Sequence, residues 1–214
     1  MNKFKNAQLA FEYYFDKINE IESFNGNKQI LNEGFYLLNP LDNLIDTDWR
    51  KWKNSYAEKE WKWYLSGNRD VSEIKKEAKI WDKMHNGDNL VNSNYGYQWN
   101  RNNQIDFIVK ELTENPNSRR AVLTIYDGKE HGLHSFDTPC TLNIVFNITN
   151  GLLNMSVLMR SNDLIYGFCN DQYCFSKLQE LISLKLKVNI GWYYHFVNNF
   201  HIYERHYDMK FLKK

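Results

Sequence analysis

The chain has 214 residues, enough for one domain with a sizeable core, and its 27 Lys and Arg against 26 Asp and Glu leave a formal charge of +1. So balanced a charge lacks the basic field of a sequence-independent polynucleotide binder, which makes direct nucleic-acid contact a poor expectation. Cys140, Cys169 and Cys174 form no CxxC pair, which argues against a disulfide framework and a cysteine-rich zinc site, while the 16% aromatic content suits a core and pocket of flat side chains.

The first ten residues carry Lys3 and Lys5 but no apolar run of the secretory type, and no stretch approaches the roughly eighteen apolar residues of a membrane span. A reduced, soluble, cytoplasmic protein is expected. Residues 9–21 read as an amphipathic helix with Leu9, Tyr13, Phe15, Ile18 and Ile21 turned inward. Residues 29–38 alternate as a strand and stop at Asn39-Pro40. Residues 51–65 are strongly helical and end at Ser66-Gly67-Asn68. A shorter helix is expected over 71–84, broken near Asp82, and another over 102–113, closed by Asn115-Pro116-Asn117.

Three strand-like runs follow, at 121–126, 142–148 and 152–159. The last two flank Thr149-Asn150-Gly151, and Asn-Gly is the strongest short hairpin signal. Residues 174–187 have Leu178, Leu181, Ile182 and Leu186 at helical core spacing, and 192–203 alternate as a closing strand. No linker or repeat divides the sequence, so 1–214 reads as a single α+β domain rather than a regular βαβ array.

An isolated Pro-Cys is more often a packed cysteine than a nucleophile, and an Arg-Arg dipeptide is more often solvated. Order changes that reading. Glu60 followed by Tyr64-Leu65-Ser66-Gly67, Ile80-Trp81-Asp82, Asn94-Tyr95-Gly96, Ser118-Arg119-Arg120, Pro139-Cys140, Arg160-Ser161-Asn162-Asp163, Gly167 and His201-Ile202-Tyr203 together resemble the thymidylate synthase superfamily. The match runs from about residue 30 to 206, with compatible gaps. Within it the chain is most similar to phage-type deoxycytidylate hydroxymethylases, through Asn92-Ser93-Asn94-Tyr95-Gly96, Asn117-Ser118-Arg119-Arg120 and Met159-Arg160-Ser161-Asn162-Asp163 with Gly167-Phe168 and Asn170-Asp171. The resemblance implies a mixed sheet with flanking helices and a homodimer packed through the sheet face.

It also implies roles. Cys140 would add to C6 of a pyrimidine nucleotide, making C5 a competent carbon nucleophile. Arg160, with Ser161, would bind phosphate and, as a neighbouring cation, favour the thiolate. Arg119 and Arg120 would reach the partner subunit's phosphate. His201 and Tyr203, two apart on a strand, would hydrogen-bond the sugar. Glu60 and Tyr95 would organise water and move protons, with Glu60 raised in pKa by its aromatic surroundings. Trp81, Asp163 and Gly167 would hold the one-carbon donor, 5,10-methylene-tetrahydrofolate. No metal is expected: His131 and His134 are three apart but have no evident carboxylate or cysteine partner.

Asp171 occupies the place where thymidylate synthases carry asparagine, with Asn170 one residue away as a competing register. An ionised carboxylate only accepts hydrogen bonds, so it suits the cytosine amino group and repels uracil O4. Thr141 also stands where thymidylate synthases carry histidine. The family's additional N-terminal phosphate arginine has no counterpart in residues 23–28, leaving Lys28 as the available charge. The chain ends at Lys214, eight positions after His206, without the family's usual C-terminal cover over folate. That favours water over hydride as the final acceptor partner, and hence a dCMP 5-hydroxymethyltransferase serving modified DNA. The alternatives are dUMP-directed or methyl-forming enzymes, CMP as substrate, and a catalytically weak nucleotide-binding protein.

Overall fold

The computed structural model describes residues 1–85, 87–131 and 137–211. His134 and Lys214 lie outside the described residues. In chain order the elements are β1 (Asn2–Phe4), α1 (Ala7–Asn19), β2 (Asn27–Leu37), α2 (Asn54–Ser66), α3 (Tyr95–Asn100), α4 (Gln104–Glu114), β3 (Val122–Thr124), β4 (Thr141–Thr149), β5 (Leu152–Met159), β6 (Asn162–Asp163), α5 (Cys169–Leu186) and β7 (Asn189–Tyr203).

The sheet order is β1-β2-β7-β5-β4-β3, with β6 paired to β7. β7 sits at its centre, antiparallel to β2 and parallel to β5 and β6. Its alternation decides its faces: Tyr193, His195 and Val197 are fully buried, while Trp192, Tyr194 and Phe196 are half-buried on the other side. The β4–β5 hairpin turns at Asn150 (φ 54°) and Gly151 (φ 73°), two residues able to hold the left-handed backbone that a primed turn requires. Helices α1, α4 and α5 cover the inward face, burying Phe11, Phe15, Ile108, Phe175 and Leu178 against Phe35, Phe146, Val157 and Val197.

Two expectations need correction. Residues 71–84 form no α-helix but two short 3₁₀ turns, Ile74–Lys76 and Trp81–Lys83. Winding the segment this way turns Val71, Ile74 and Trp81 into one small cluster with Val91. Helix α1 is present, but its buried stripe is Ala7, Ala10, Phe11, Tyr14, Phe15 and Ile18, whereas Leu9 and Tyr13 are exposed. That stripe follows i, i+3, i+4, i+7 spacing and buries more aromatic surface than the face expected from Leu9.

One boundary matters for the site. Helix α5 starts at Cys169, five residues before the expected start at 174. Asp163 makes this possible by capping a π-helical turn, Leu164–Phe168, with its Oδ1 accepting from Ile165 N at 2.7 Å. The turn leads directly into α5 and places Asp171 in the helix's first turn.

Candidate active site

Cys140 lies immediately before β4, half-buried, where the strand's first residues turn toward β5. Arg160 closes over it. The Arg160 backbone N–H donates to Cys140 O (2.8 Å), and its guanidinium donates to Thr138 O (2.6 Å) and Pro139 O (3.0 Å) while standing 3.7 Å from Cys140 Sγ. Burial nevertheless pushes the thiol up to about 11. Arg160 pulls downward, while the negative charges of Asp171 and Asp137 push further up. The adjacent cation expected to favour the thiolate is therefore present but outweighed by burial.

The chain just before Cys140 is tied down by Asp137. Its buried carboxylate accepts from Asn92 N (2.5 Å), Ser93 N (2.7 Å) and Ser93 Oγ (2.5 Å). The same short segment continues into Asn94, which caps α3 by accepting from Tyr97 N (2.8 Å) and donates to Trp63 O (3.0 Å) and Asn68 O (2.9 Å). Gly96 is required here, since a Cβ would fall 1.5 Å from Tyr64 O on α2. These contacts hold Tyr95 within electrostatic reach of Cys140, its ring stacked on Phe175 at 5.6 Å.

Three groups share this pocket. Glu60, on α2, is 5% exposed and accepts from Tyr56 OH (3.0 Å), which accepts in turn from Trp81 Nε1 (2.9 Å). Burial, with the negative charge of Asp171, pushes Glu60 up to about 8. Asp171 itself is pushed up to about 7 by burial, opposed by an Asn162 Nδ2–H donated to Oδ2 at 2.7 Å. Asp171's charge reaches Cys140, Glu60 and Tyr95 alike. A thiol and two carboxyls, one buried and one half-buried, both poised near neutrality, can add to an electrophilic ring carbon and shuttle protons to it.

The neighbouring residue faces elsewhere. Asn170 Oδ1 accepts from Trp52 Nε1 (2.8 Å), and its Nδ2 donates to Tyr166 O (3.0 Å). Of the two registers, Asp171 is the one within electrostatic reach of Cys140 and Glu60. Gly167 lies beneath it: a Cβ there would come 2.7 Å from Asn162 Nδ2 and 3.3 Å from Asp171 Oδ2. Asp163 faces the turn it caps, and Ser161 is half-buried beside Arg160. His201 is buried and meets Tyr203 edge-on at 5.1 Å on the same face of β7; Cys140 is among the groups that influence Tyr203.

Arg119 and Arg120 are not brought to this pocket. Val122 stands opposite Val145, so the pair sits at the far end of the β3–β4 ladder from Cys140. Arg120 pairs with Glu111 (3.0 Å), and Arg119 is exposed without a side-chain partner among the described residues. Lys28 donates to Asn19 O (2.5 Å) and lies over the Tyr207 ring, which commits its charge away from the pocket. Among the described residues no cluster could hold a metal. Trp81 is 7% exposed and meets Trp63 edge-on at 4.9 Å, and it is joined through Tyr56 to Glu60.

Sequence reasoning left Asp137, Asn162, Tyr56, Tyr193 and His195 without roles. Asn162 and Asp137 lay inside short runs already singled out, but only the fold shows what they bond.

A family model described as Thymidylate synthase matches residues 43–213. The thymidylate synthase of Bacillus atrophaeus is 28% identical over 175 residues, covering 77% of this chain and 76% of that protein. That of Bacillus phage phi3T is 29% identical over 175 residues, where the match spans only 62% of the relative's length. Among solved structures, a thermostable thymidylate synthase A from Bacillus subtilis superposes with a TM-score of 0.75 at 19% identity, over 96% of this chain and 83% of that one. Among the described residues, no helix is long and apolar enough to cross a membrane.

Proposed function

The chain belongs to the thymidylate synthase family, and from that premise we propose that it is a folate-dependent one-carbon transferase that acts at C5 of dCMP and yields 5-hydroxymethyl-dCMP. The family draws its one-carbon unit from 5,10-methylene-tetrahydrofolate, at the oxidation level of formaldehyde; Trp81 and Asp163 are the residues that would hold it. Cys140 adds to C6 of the ring, and the Arg160 guanidinium beside Sγ stabilises the thiolate as it forms. Glu60 holds and releases protons within the pocket, since a carboxyl raised to about 8 is protonated and yet reactive at neutral pH. Tyr95 orders the base of the same cavity. Arg160 and Ser161 meet the phosphate, and His201 with Tyr203 the sugar.

The choice of base rests on one observation: a half-buried carboxyl, Asp171, stands within electrostatic reach of Cys140 and Glu60 where an amide would serve uracil. Cytosine offers an acceptor at N3 and a donor at N4. A protonated carboxyl answers both at once, and an ionised one accepts from N4 while repelling uracil O4. The hydroxymethyl product rests on the resemblance of the short runs around Asn94, Arg119 and Arg160 to cytidylate hydroxymethylases.

A second reading has its own support. The relatives named above are thymidylate synthases, and their names favour dUMP as substrate and a methyl product more than they favour dCMP. Tritium placed at C5 of dCMP or dUMP separates the two when released in the presence of methylene-tetrahydrofolate. Release from dCMP, with a product that takes oxygen from labelled water, is expected. Release from dUMP alone would overturn the Asp171 argument, and release from neither would leave a nucleotide-binding protein. Cys140→Ser should abolish release; full activity in that variant would remove Cys140 from the mechanism.

A further inference from the structure

Behind Asp171 runs a line of polar groups that the proposed chemistry does not use. Tyr193 OH lies 2.7 Å from His195 Nδ1, His195 Nε2 lies 3.2 Å from Asn162 Oδ1, and Asn162 Nδ2 lies 2.7 Å from Asp171 Oδ2. Tyr193 and His195 are fully buried, and Asn162 is 3% exposed. Water therefore does not share these bonds, and each group must find its donor or acceptor within the line.

The direction of the line follows from its ends. An ionised Asp171 can only accept, so Asn162 must turn its amide N–H toward it and its carbonyl toward His195. His195 is enclosed by the rings of Phe35 (5.3 Å), Phe168 (5.2 Å) and Phe200 (6.2 Å), and burial drives its pKa down to about 3, leaving it neutral with a single N–H. Because Asn162 presents a carbonyl, that hydrogen must sit on Nε2. Nδ1 is then bare, and Tyr193 must donate to it. Every donor points toward Asp171.

We propose that Tyr193, His195 and Asn162 form a directed hydrogen-bond relay that keeps Asp171 Oδ2 an acceptor and confines any carboxyl proton to Oδ1, so that the pocket is set to read cytosine. The inference rests on Asp171 as the base selector. Its content is chemical. A neutral carboxyl with a free choice of oxygen can pair with either base: O–H to N3 with N4–H returned for cytosine, or O–H to O4 with N3–H returned for uracil. Only the position of the proton separates the two pairings. An N–H fixed on Oδ2 excludes a proton there, since two donors would face each other; with Oδ1 set against N3, Oδ1–H meets that nitrogen and Oδ2 accepts from the exocyclic amino group. Gly167 supplies the room, because any Cβ at that position would press on Asn162 Nδ2. These three are positioning residues, acting on the base through Asp171.

Two measurements test this. The first is the tautomer of His195, read from imidazole ¹⁵N shifts in the full-length protein, with its resonances identified by their loss in His195→Phe. A neutral Nε2–H ring unchanged between about pH 5 and 8 is expected; an Nδ1–H ring, or one that titrates in that range, would overturn the relay. The second is the ratio of kcat/KM for dCMP to that for dUMP, measured by C5 tritium release in wild type, Tyr193→Phe and His195→Phe. Tyr193→Phe removes one hydroxyl and keeps the ring, so it guards against a His195→Phe protein that fails to fold. Freed to turn, Asn162 no longer fixes the proton, and the ratio should fall on the order of tenfold while dUMP turnover holds or rises. General disruption would lower both substrates together. A ratio within about twofold of wild type in a folded variant would overturn the inference, since a lost buried hydrogen bond is worth more than that. Wild-type preference for dUMP would instead overturn the base reading of Asp171, with the relay still judged by the His195 tautomer.

Discussion

Glu60 is a buried carboxyl and Asp171 a half-buried one, held within electrostatic reach of each other, and that fact sets how the protein answers pH. Each has a folded pKa above its unfolded value, about 8 against 4.5 for Glu60 and about 7 against 3.8 for Asp171. The folded state therefore retains protons that the unfolded chain releases. Their contribution to stability is fully present below about pH 4 and is lost as pH rises through the folded values. Glu60→Gln removes one of these groups while keeping its shape. Thermal melting of the ligand-free protein should show no gain at pH 4 and a gain of at least about 3 °C at pH 8; equal melting curves at pH 8 would show that Glu60 is not held protonated. The same variant should lose turnover, because glutamine cannot carry a proton to the ring. Gly167→Ala belongs to this scale as well. Its backbone needs no left-handed conformation, so the added methyl acts by sterics alone, against Asn162 and Asp171. Overpacking of this kind costs about 1–3 kcal/mol. Lowered dCMP turnover with phosphate-dependent binding retained is expected, as judged by kcat/KM and by calorimetric titration with dCMP.

Elements place these residues where chemistry can use them, and the linking segments matter more than the long helices. Asn94 is the sharpest case: fully buried, it joins α2, the turn after it and the start of α3 through three hydrogen bonds. Asn94→Ala removes all three, leaving Asn68 O and Tyr97 N without that partner while Trp63 O keeps Ser66 Oγ (2.7 Å), and should cost about 3 kcal/mol. For a chain of this length Tm should fall by roughly 6–12 °C, and Tyr95 would lose its fixed position. A drop under about 2 °C would mean that the cap contributes little. The sequence made β2, β3, β4, β5 and β7, the Asn150-Gly151 turn and the Gly67 stop legible, because alternation and left-handed residues are local signals, but β1 and β6 are too short to show one. It misjudged 71–84, where sparse apolar positions fit a helix as well as two tight turns and only the cluster with Val91 decides. It placed the start of α5 late because the π-turn depends on Asp163 reaching forward to two backbone N–H groups. At the site, Cys140, Glu60 and Asp171 were legible as members of an ordered set. His195 was not: a histidine within an alternating strand shows its role only when β6 lies alongside β7 and brings Asn162 within reach.

On the scale of the whole molecule, the two arginines that fail to reach Cys140 become informative. Arg119 and Arg120 lie at the far end of the β3–β4 ladder, and the outer face of the sheet carries half-buried Tyr36, Trp192 and Tyr194 in mutual contact at 4.8–5.1 Å. Two copies packed through that face would bury these rings and bring each copy's arginines to the other's pocket. A mixing experiment distinguishes this from a structural role for the arginines. Cys140→Ser lacks a nucleophile but keeps both arginines, and a chain with Arg119→Ala and Arg120→Ala does the reverse. Each homodimer should be inactive or nearly so. Unfolded together at equal concentration and refolded, the two chains should form mixed dimers in which one pocket pairs an intact Cys140 with intact arginines from its partner. Half the dimers are mixed and one pocket in each is whole, so activity should recover to about one quarter of wild type. If the arginines acted within their own chain, no mixed dimer would contain a whole site and activity would stay at the level of the parents. Sedimentation of the wild-type protein as a monomer would reject the dimer outright.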